Sequence, residues 1–536
     1  MPMWKRQEVQ KMLRPLKDLP ARRSFTPFIL TIGVALRLNH YFDNRALWLD
    51  EAQRALNVMQ RSLGEICRAY QFTAPDTIGS AFLSKLLISI FGNHEYILRF
   101  FPLVAGIASL FLFYRIVKKI VTPQAIPVAL TLFAILDPLV YYTAENKHYS
   151  VELFFVLCLY NLIHDYEFKT KKSLNPLALA AFGAVCVWFG FAPIFVLSSI
   201  VLCAVVFYLL NQQKALALKL LSFQWIWFIS FCVVYQLWLN VSRHLGLEKM
   251  WNYAFPADPI WTLEGALWLW RSLVHIFRDT MKLSWPVLGL VVCALGCFVC
   301  FKRNKKVFFV YFLPILLSLM AAYFKKYPFV GRVLLFCVPS LVLFISEGIA
   351  FAFERHRPVF LAAGLVMVLG IFWGPVRDSA YYLWHPRARE EIKSLMVYLK
   401  EHQKPGDSLY LSSGTLYAYK YYYQYYHFSY SGRIVGITND VLDGDHDGAF
   451  LYLYHPEYKV DSKLYLGRGL MPGNVNPQKH DLRWLEGGPR VWILFSHIDQ
   501  DARSHFLNYA DQHGQRIEKI LAPGAGLYLY NFNERG

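Results

Sequence analysis

Long apolar stretches dominate the chain from residue 26 to about residue 375. Many of them reach about 18 residues with few charges, which is typical of a helix that crosses a bilayer. After the last stretch the apolar runs shorten, and charges, glycine and proline return. The pattern predicts eleven transmembrane helices, at 25–43, 97–114, 125–142, 149–165, 175–191, 193–211, 221–240, 284–301, 307–323, 332–353 and 358–375.

One further apolar segment, 77–92, is not expected to span the membrane. It has only about 15 residues, which is too short for the hydrocarbon core. It also carries Lys85 near its middle, and a lysine at the bilayer centre costs about 3 kcal/mol. These features favour an amphipathic helix that lies in the membrane interface.

The basic loops predict the orientation of the chain. If 77–92 does not cross, five basic clusters and the basic N-terminus fall on the same side; if it crosses, every later cluster moves to the opposite side. Because lysine and arginine concentrate in cytoplasmic loops, we expect a cytoplasmic N-terminus and an extracytoplasmic C-terminus. The clusters are Arg115, Lys118 and Lys119; Lys169, Lys171 and Lys172; Lys214 and Lys219; Lys302, Arg303, Lys305 and Lys306; and Arg355 and Arg357.

The composition agrees with a membrane protein. The chain is 56% hydrophobic and 17% charged, whereas about a quarter of the residues in a soluble domain are charged. We expect cytoplasmic loops to hold most of the basic residues behind the net charge of +18, and therefore no nucleic-acid partner. The nine cysteines show no disulfide framework and no zinc-type spacing.

Three regions follow: a basic cytoplasmic segment at 1–24, a transmembrane module at 25–380 and an extracytoplasmic soluble domain at 381–536. The last region alternates helical and strand patterns, which predicts a small α/β domain with a mostly parallel sheet. It lacks a glycine-rich phosphate loop, so nucleotide binding is not supported. Its predicted helices are 387–402, 415–428 and 499–514, and its predicted strands lie within 404–414, 432–437, 490–498 and 524–532.

The predicted helix 415–428 is dense in tyrosine. Tyrosine suits stacking on sugar rings, a position at the membrane interface, or the packing of an amphipathic helix, and all three alternatives stay open. The residues are Tyr417, Tyr419, Tyr421, Tyr422, Tyr423, Tyr425 and Tyr426.

Ionisable residues gather at the predicted outer membrane edge, in three segments. Charges at such positions are functional candidates, although long side chains at span ends also simply extend toward water. A cation cluster there suits a phosphate group, and a nearby carboxylate suits a general base that deprotonates a hydroxyl. Such a site would fit a lipid-phosphate sugar donor and a hydroxyl acceptor. The residues are Asp50 and Glu51; Glu145, Lys147 and His148; and Lys325, Lys326 and Arg332.

Four motifs stand in order along the chain: "LWLDEA" after the first span, "HEYILRFFPLVAG" at 94–106, "DPLVYYTAENKHYSVEL" at 137–153 and "YPFVGRVLLFCVPSL" at 327–341. Together they resemble the protein-O-mannosyltransferase-like superfamily (glycosyltransferase family 39-like), whose members have the GT-C fold and include the aminoarabinose transferases of lipid A. The resemblance covers about residues 25–375.

The resemblance implies transfer of a hexose or pentose, with inversion, from a polyprenyl-phosphate donor to a hydroxyl on the outer face of the membrane. Asp50 would be the catalytic base, and Glu51 would orient the site or contact substrate. The substrate-binding candidates are Arg99, Glu145, Lys147, His148, Tyr149, Lys325, Lys326, Tyr327 and Arg332.

The sequence departs from the family at two places. Lys147 stands where relatives often have arginine, and lysine cannot form the bidentate contact of a guanidinium. The stretch "FTAPDTIGSAF" replaces a His-Pro-Pro stretch, and its Asp76 either faces the acceptor or caps the loop.

The implied partners are a polyprenyl-phosphate sugar, membrane lipids and an envelope acceptor, which could be a glycan, a lipid such as lipopolysaccharide, or a protein. We expect a bacterial inner-membrane location.

Some relatives hold zinc or another divalent ion, but the spacings of His40, His94 and His148 match no metal signature, so no obligatory metal is expected. The alternatives are a transporter or flippase of lipid-linked glycans, for which no internal repeat is visible, and an assembly protein with a degenerate site.

Overall fold

The structure is a computed structural model. The predicted segment 1–24, the cluster of Lys169, Lys171 and Lys172, and Tyr426 lie outside the residues that it describes. The described residues are 25–67, 76–164, 175–245, 251–355, 357–404, 406–425, 432–435, 460–466, 485 and 487–533.

The first two thirds of the chain are helical. A 3-10 segment, Gly331–Cys337, leads into helix α14. The helices are α1 (Phe25–Phe42), α2 (Leu49–Gln60), α3 (Ile78–Phe91), α4 (Glu95–Ile120), α5 (Ala125–Ile135), α6 (Asp137–Tyr141), α7 (Tyr149–Ile163), α8 (Pro176–Cys186), α9 (Pro193–Leu210), α10 (Lys214–Leu245), α11 (Leu263–His275), α12 (Pro286–Arg303), α13 (Lys305–Tyr323), α14 (Val338–Glu354) and α15 (Pro358–Tyr382).

The chain is a multi-pass membrane protein. Within the described residues, seven helical segments are long and apolar enough to cross a bilayer, and a bent pair makes up to eight. These account for eight of the eleven predicted spans, whereas the predicted spans at 25–43, 149–165 and 175–191 correspond to α1, α7 and α8, of 18, 15 and 11 residues. The count of eleven and the orientation stay predictions. The seven segments are Glu95–Ile120, Pro193–Leu210, Lys214–Leu237, Pro286–Arg303, Lys305–Tyr323, Gly331–Glu354 and Pro358–Tyr382.

The bent pair consists of α5 and the segment Asp137–Ala144, which meet at 55°. Pro138 lacks the N–H that would bond the Ala134 carbonyl in a continuous helix, so the break leaves that oxygen without its usual partner. The buried guanidinium of Arg37, from α1, donates to the Ala134 oxygen at 3.0 Å. The chain can therefore bend within the membrane and lead into the turn that carries Lys147.

Helices α12 and α14 cross at two glycines. A Cβ added at Gly296 would lie 1.7 Å from the Phe344 carbonyl oxygen, and one added at Gly348 would lie 2.3 Å from the Val292 oxygen. Backbone atoms cannot rotate away as side chains can. Only glycine therefore fits at each of the two positions of this crossing.

Gly296→Ala is expected to destabilise the folded protein by about 1–3 kcal/mol or more, because the methyl group must push two helices apart. Thermal unfolding of the detergent-solubilised protein measures the effect. Gly64→Ala is the matched control, since an added Cβ there has no neighbour within 4 Å. Equal melting temperatures for the two variants would contradict this account of the crossing.

The C-terminal domain has one six-stranded sheet in the order β2-β3-β1-β4-β6-β5. The pairs β2–β3, β3–β1 and β1–β4 are parallel, and β4–β6 and β6–β5 are antiparallel. The elements are α16 (Ile392–His402), β1 (Ser408–Leu411), α17 (Leu416–Tyr425), β2 (Gly432–Val435), β3 (Val460–Leu466), β4 (Val491–Ser496), α18 (Gln500–His513), β5 (Gln515–Ala522) and β6 (Ala525–Asn531).

The small α/β domain and its parallel core are as predicted, but two strands were not predicted. Strand β5 lies at an edge, and its residues alternate between exposed and half-buried, so it lacks a continuous apolar run. Strand β3 is a mixed sequence, VDSKLYL, in which charges interrupt the pattern. The β5–β6 hairpin turns at Gly524, whose φ of 65° favours glycine.

Most tyrosines of α17 serve packing. Tyr417, Tyr419, Tyr421 and Tyr422 are buried. They share one hydrophobic cluster with Leu47 and other residues of the first loop and α2. Of the three alternatives for these four residues, the structure therefore supports packing over sugar stacking. Tyr426 lies outside the described residues, as does the side chain of Tyr425.

Candidate active site

Asp50 is the second residue of α2, and its side chain is 20% exposed. Its Oδ2 accepts a hydrogen bond from Nη2 of Arg332 at 2.6 Å and lies 3.5 Å from Nζ of Lys147. Burial raises the pKa of Asp50, but the charges of Lys147 and Arg332 lower it by more, so that the pKa falls to about 2. The structure thus holds an ionised, partly accessible carboxylate between two cations.

The two cations come from separate parts of the fold. Lys147 lies in the turn before α7, and burial lowers its pKa from the ordinary lysine value. Arg332 is the second residue of the 3-10 segment before α14, and its guanidinium lies 5.3 Å from the ring centroid of Trp48 and 5.6 Å from that of Tyr149. Arg332 is therefore seated between aromatic rings while one edge of its guanidinium points at Asp50.

Glu51 faces the protein interior, unlike its neighbour Asp50. It is fully buried and paired with Arg99 through two hydrogen bonds, Nε–Oε1 at 2.9 Å and Nη2–Oε2 at 2.8 Å. The backbone N–H of Asn146 donates to the same carboxylate at 2.6 Å. Burial raises the pKa of Glu51, but the charge and hydrogen bonds of Arg99 lower it more. Two predicted site residues, Glu51 and Arg99, therefore bind each other.

A second buried network lies beside this pair. Arg54 pairs with Asp76 and Asn146 and donates to Oγ of Ser84 at 3.1 Å. The ring Nδ1 of His148 lies 3.3 Å from Asp76, and the Asp76 carboxylate also accepts from the N–H of Thr77 at 2.8 Å, just before α3. Of the two alternatives for Asp76, this geometry favours loop capping.

Of the third predicted group, which is Lys325, Lys326 and Arg332, only part joins the Asp50 cluster. Lys325 and Lys326 are exposed beyond the end of α13, and within the described residues neither forms a hydrogen bond or ion pair with Asp50. The hydroxyl of Tyr327 donates to the Val333 carbonyl at 2.7 Å, so it supports the segment around Arg332. Arg332 alone of this group contacts Asp50. Lys325 and Lys326 were chosen for their charge near a span end, and such side chains extend readily into water.

Trp48 and Glu145 lie behind the cluster. The indole Nε1 of Trp48 donates to Oε1 of Glu145 at 2.8 Å. Glu145 is fully buried, and its Oε2 has no hydrogen-bond partner among the described residues. The guanidinium of Arg389, from the C-terminal domain, stacks over Trp48 at 4.4 Å. Trp48 thus lies between the membrane module and the C-terminal domain.

Sequence reasoning did not select Trp48, Arg389, Glu390 or His497. The available signal was the basic stretch "HPRARE" directly after the last span. His497 offers no local signal, because it follows an ordinary buried strand far from Asp50 in the sequence. Arg389, Glu390 and His497 approach the Asp50 cluster only through the docking of the C-terminal domain, whereas Trp48 lies two positions before Asp50 in the motif "LWLDEA".

Metal binding gains no support from the described part of the chain. There, no group of three or more histidine, cysteine, aspartate or glutamate residues is placed to hold a metal ion. Whether the protein needs a metal is not tested by this arrangement, so the expectation of no obligatory metal stays a prediction.

No family model and no curated protein matches the sequence. The fold does match solved structures. ArnT from Cupriavidus metallidurans in the apo state aligns with a TM-score of 0.52 at 10% identity, over 95% of this chain and 98% of that chain. ArnT bound to undecaprenyl phosphate aligns with a TM-score of 0.50 at 11% identity, with the same coverage. The archaeal oligosaccharyltransferase AglB from Archaeoglobus fulgidus, in complex with an inhibitory peptide and a dolichol-phosphate, gives 0.46 at 12%, over 75% of this chain and 63% of that chain.

The chain therefore has the fold of the GT-C membrane glycosyltransferases, and it carries that fold through to the C-terminal domain, since the match to ArnT covers nearly the full length of both chains. The GT-C fold that the sequence resemblance implied is confirmed. At 10% identity the likeness concerns the fold, and the chemistry has to be argued from the residues of this chain.

Proposed function

We propose that the protein is a glycosyltransferase that moves a sugar from a polyprenyl-phosphate donor to a hydroxyl acceptor on the outer face of the membrane. The observation that carries this proposal is the position of Asp50 between Lys147 and Arg332. One carboxylate and two cations are the groups that such a transfer needs, a proton acceptor and a phosphate-binding pair. The ArnT structure with undecaprenyl phosphate supports the class of donor.

In the proposed reaction, Asp50 takes the proton of the acceptor hydroxyl as its oxygen attacks the anomeric carbon of the sugar. The bond between that carbon and the phosphate oxygen breaks, and the polyprenyl phosphate leaves with the electron pair. Lys147 and Arg332 stabilise the charge that develops on the phosphate. The buried Glu51–Arg99 pair positions the start of α2, because Arg99 also donates to the Arg45 carbonyl at 2.7 Å.

This scheme implies an exchange of partners. Without donor, Lys147 and Arg332 neutralise Asp50 and keep its pKa at about 2, which makes it a poor base. A bound phosphate would draw the two cations toward itself and weaken their hold on Asp50. The carboxylate would then gain basicity only when the donor is present, which couples donor binding to activation of the acceptor.

Comparison of envelope glycans by mass spectrometry tests the proposal in three strains: a deletion, the deletion with wild type restored, and the deletion with Asp50→Asn restored at equal protein level. We expect one sugar mass to disappear in the deletion, to return with wild type and to stay absent with Asp50→Asn. A glycan profile unchanged by the deletion would refute the transferase assignment. Full recovery with Asp50→Asn would remove Asp50 as the base.

Lys147 gives the donor site an expected pH dependence. Burial lowers its pKa below the ordinary value of about 10.4, so its charge is lost as the pH rises through this lowered pKa. The affinity of the purified protein for undecaprenyl phosphate should therefore fall in the alkaline range before an ordinary lysine would titrate. Lys147→Arg should remove this fall, since arginine stays charged there. An affinity that is constant from pH 7 to 10.5 would contradict the assignment.

A further inference from the structure

The segment before Asp50 is held by side chains of the C-terminal domain. The N–H of Ala46 donates to Oε2 of Glu391 at 2.9 Å, and the N–H of Leu47 donates to the Tyr422 hydroxyl at 2.8 Å. The N–H of Leu49 donates to Oε2 of Glu390 at 3.0 Å. Three backbone groups of one loop thus depend on a domain that is distant in sequence.

Glu390 has a second bond that points to the site. Its other oxygen, Oε1, lies 2.6 Å from Nδ1 of His497. The carboxylate is 8% exposed, whereas the His497 side chain is 44% exposed. A buried carboxylate that binds Nδ1 fixes the orientation of an imidazole and leaves Nε2 for another partner. Within the described residues, Nε2 of His497 has no hydrogen-bond partner.

The backbone at His497 is itself unusual. The residue directly follows β4, at the carboxyl end of a strand in the parallel part of the sheet, where ligands commonly bind in α/β folds. Its φ is 49°, in the left-handed region that glycine and asparagine favour. Gly414 allows this placement, since a Cβ there would lie 2.6 Å from the His497 oxygen. A histidine held in this conformation suggests a use for the imidazole.

The ring also lies on the Asp50 side of the domain. Its centroid is 6.2 Å from that of Trp48, the residue two positions before Asp50. Arg332 and Arg389 lie against the same indole. Burial lowers the pKa of His497, but the hydrogen bond and charge of Glu390 raise it more, and the charge of Asp50 contributes. The ring is therefore well suited to donate a hydrogen bond to an oxygen.

We propose that the C-terminal domain contributes a substrate-binding residue, His497, which Glu390 orients through Nδ1 so that Nε2 hydrogen-bonds an oxygen of the acceptor beside Asp50. This inference rests on the proposed transferase function and assigns the acceptor side of that site to the C-terminal domain. His497 forms no covalent bond and receives no proton in the transfer; the proton of the acceptor hydroxyl goes to Asp50. The donor phosphate stays with Lys147 and Arg332.

His497→Asn is the sharpest test. Asparagine accepts the left-handed backbone, and its short amide can keep the bond to Glu390, but it has no atom at the position of Nε2. Loss of one hydrogen bond with a charged partner should lower glycan transfer about 10- to 100-fold. His497→Gln, whose longer amide approaches the Nε2 position, should recover part of it. His505→Asn, at an exposed position on α18, is the control and should restore transfer fully.

The variants are compared in the deletion strain by envelope mass spectrometry, and the purified proteins are assayed for undecaprenyl phosphate binding. The inference is supported if His497→Asn loses transfer, binds undecaprenyl phosphate within twofold of wild type, and His497→Gln is partly active. Wild-type transfer by His497→Asn overturns it. Loss of undecaprenyl phosphate binding in both His497 variants also overturns it, because the residue would then act on the donor side or the fold. If the deletion itself leaves the glycans unchanged, the transferase function fails first, and the inference fails with it.

Discussion

Asp50→Asn is expected to lower turnover sharply while increasing the affinity of the purified protein for undecaprenyl phosphate. Turnover should fall by about 10²–10⁴, the usual contribution of a positioned general base. Affinity should rise because Asp50 competes with the phosphate for Lys147 and Arg332, and asparagine removes that competing charge. Binding titration and a donor-consumption assay on the same preparation measure the two effects.

Because turnover should fall while affinity rises, the Asp50→Asn result distinguishes loss of the base from damage to the fold. Damage to the fold would lower both quantities together. Asp258→Asn, an exposed aspartate in another loop, is the matched control and should change neither. If Asp50→Asn weakens undecaprenyl phosphate binding, the phosphate does not replace Asp50 on these cations, and the exchange of partners is wrong.

Arg99→Met is expected to unfold the protein or to lower its stability by about 3–5 kcal/mol, the cost of leaving a buried charge without its partner. Glu51 is fully buried against Arg99, so its carboxylate would lose both hydrogen bonds from the guanidinium and keep the one from the Asn146 N–H. Thermal unfolding of the detergent-solubilised protein, with yield after size-exclusion chromatography, measures the loss.

The double variant Glu51→Leu/Arg99→Met is the control for this second prediction. It removes both charges, so it should be more stable than Arg99→Met alone, although the Arg45 and Ala46 carbonyls still lose a donor. The comparison also separates two roles for Glu51. If Glu51 positions the loop, Glu51→Gln should be unstable. If Glu51 contacts substrate, Glu51→Gln should be stable and inactive. A stable and inactive Glu51→Gln would support a direct role of Glu51 at the substrate.

The membrane architecture could be predicted because the bilayer imposes a simple rule. Apolar runs of sufficient length stand out in sequence, and the helices Pro286–Arg303, Lys305–Tyr323 and Pro358–Tyr382 match their predicted spans closely. The break at Pro138 was not predicted. A broken helix and a straight one have the same hydropathy, and the compensating donor, Arg37, comes from a different helix.

The candidate site was partly predictable for the same kind of reason. Charges at the ends of spans are costly, so Asp50, Lys147 and Arg332 stood out, and the structure joins them in one cluster. Sequence position could not separate Asp50 from Glu51. The two are neighbours in the chain, but successive residues of a helix point about 100° apart, which sends one carboxylate to Arg332 and the other to Arg99.

The contributions of the C-terminal domain were beyond sequence reasoning. Arg389, Glu390 and His497 lie in segments that read as an ordinary domain start and an ordinary strand end. Their distance from Trp48 and Asp50 depends on how the C-terminal domain docks on the transmembrane module. The hydrophobic pattern within either region carries no information about this docking. A family resemblance limited to residues 25–375 could not indicate them either.

The hydrogen bonds that hold the segment 46–49 also constrain how the protein can mature in the cell. That segment is synthesised early, whereas its partners Glu390, Glu391 and Tyr422 emerge only after the membrane helices. Contacts of such long sequence separation form late, because the intervening chain must be ordered first. The nascent chain would therefore carry an unfinished loop at the candidate active site throughout insertion. The protein would become competent for the proposed transfer only when the C-terminal domain docks on this segment. Incomplete chains would therefore be inactive.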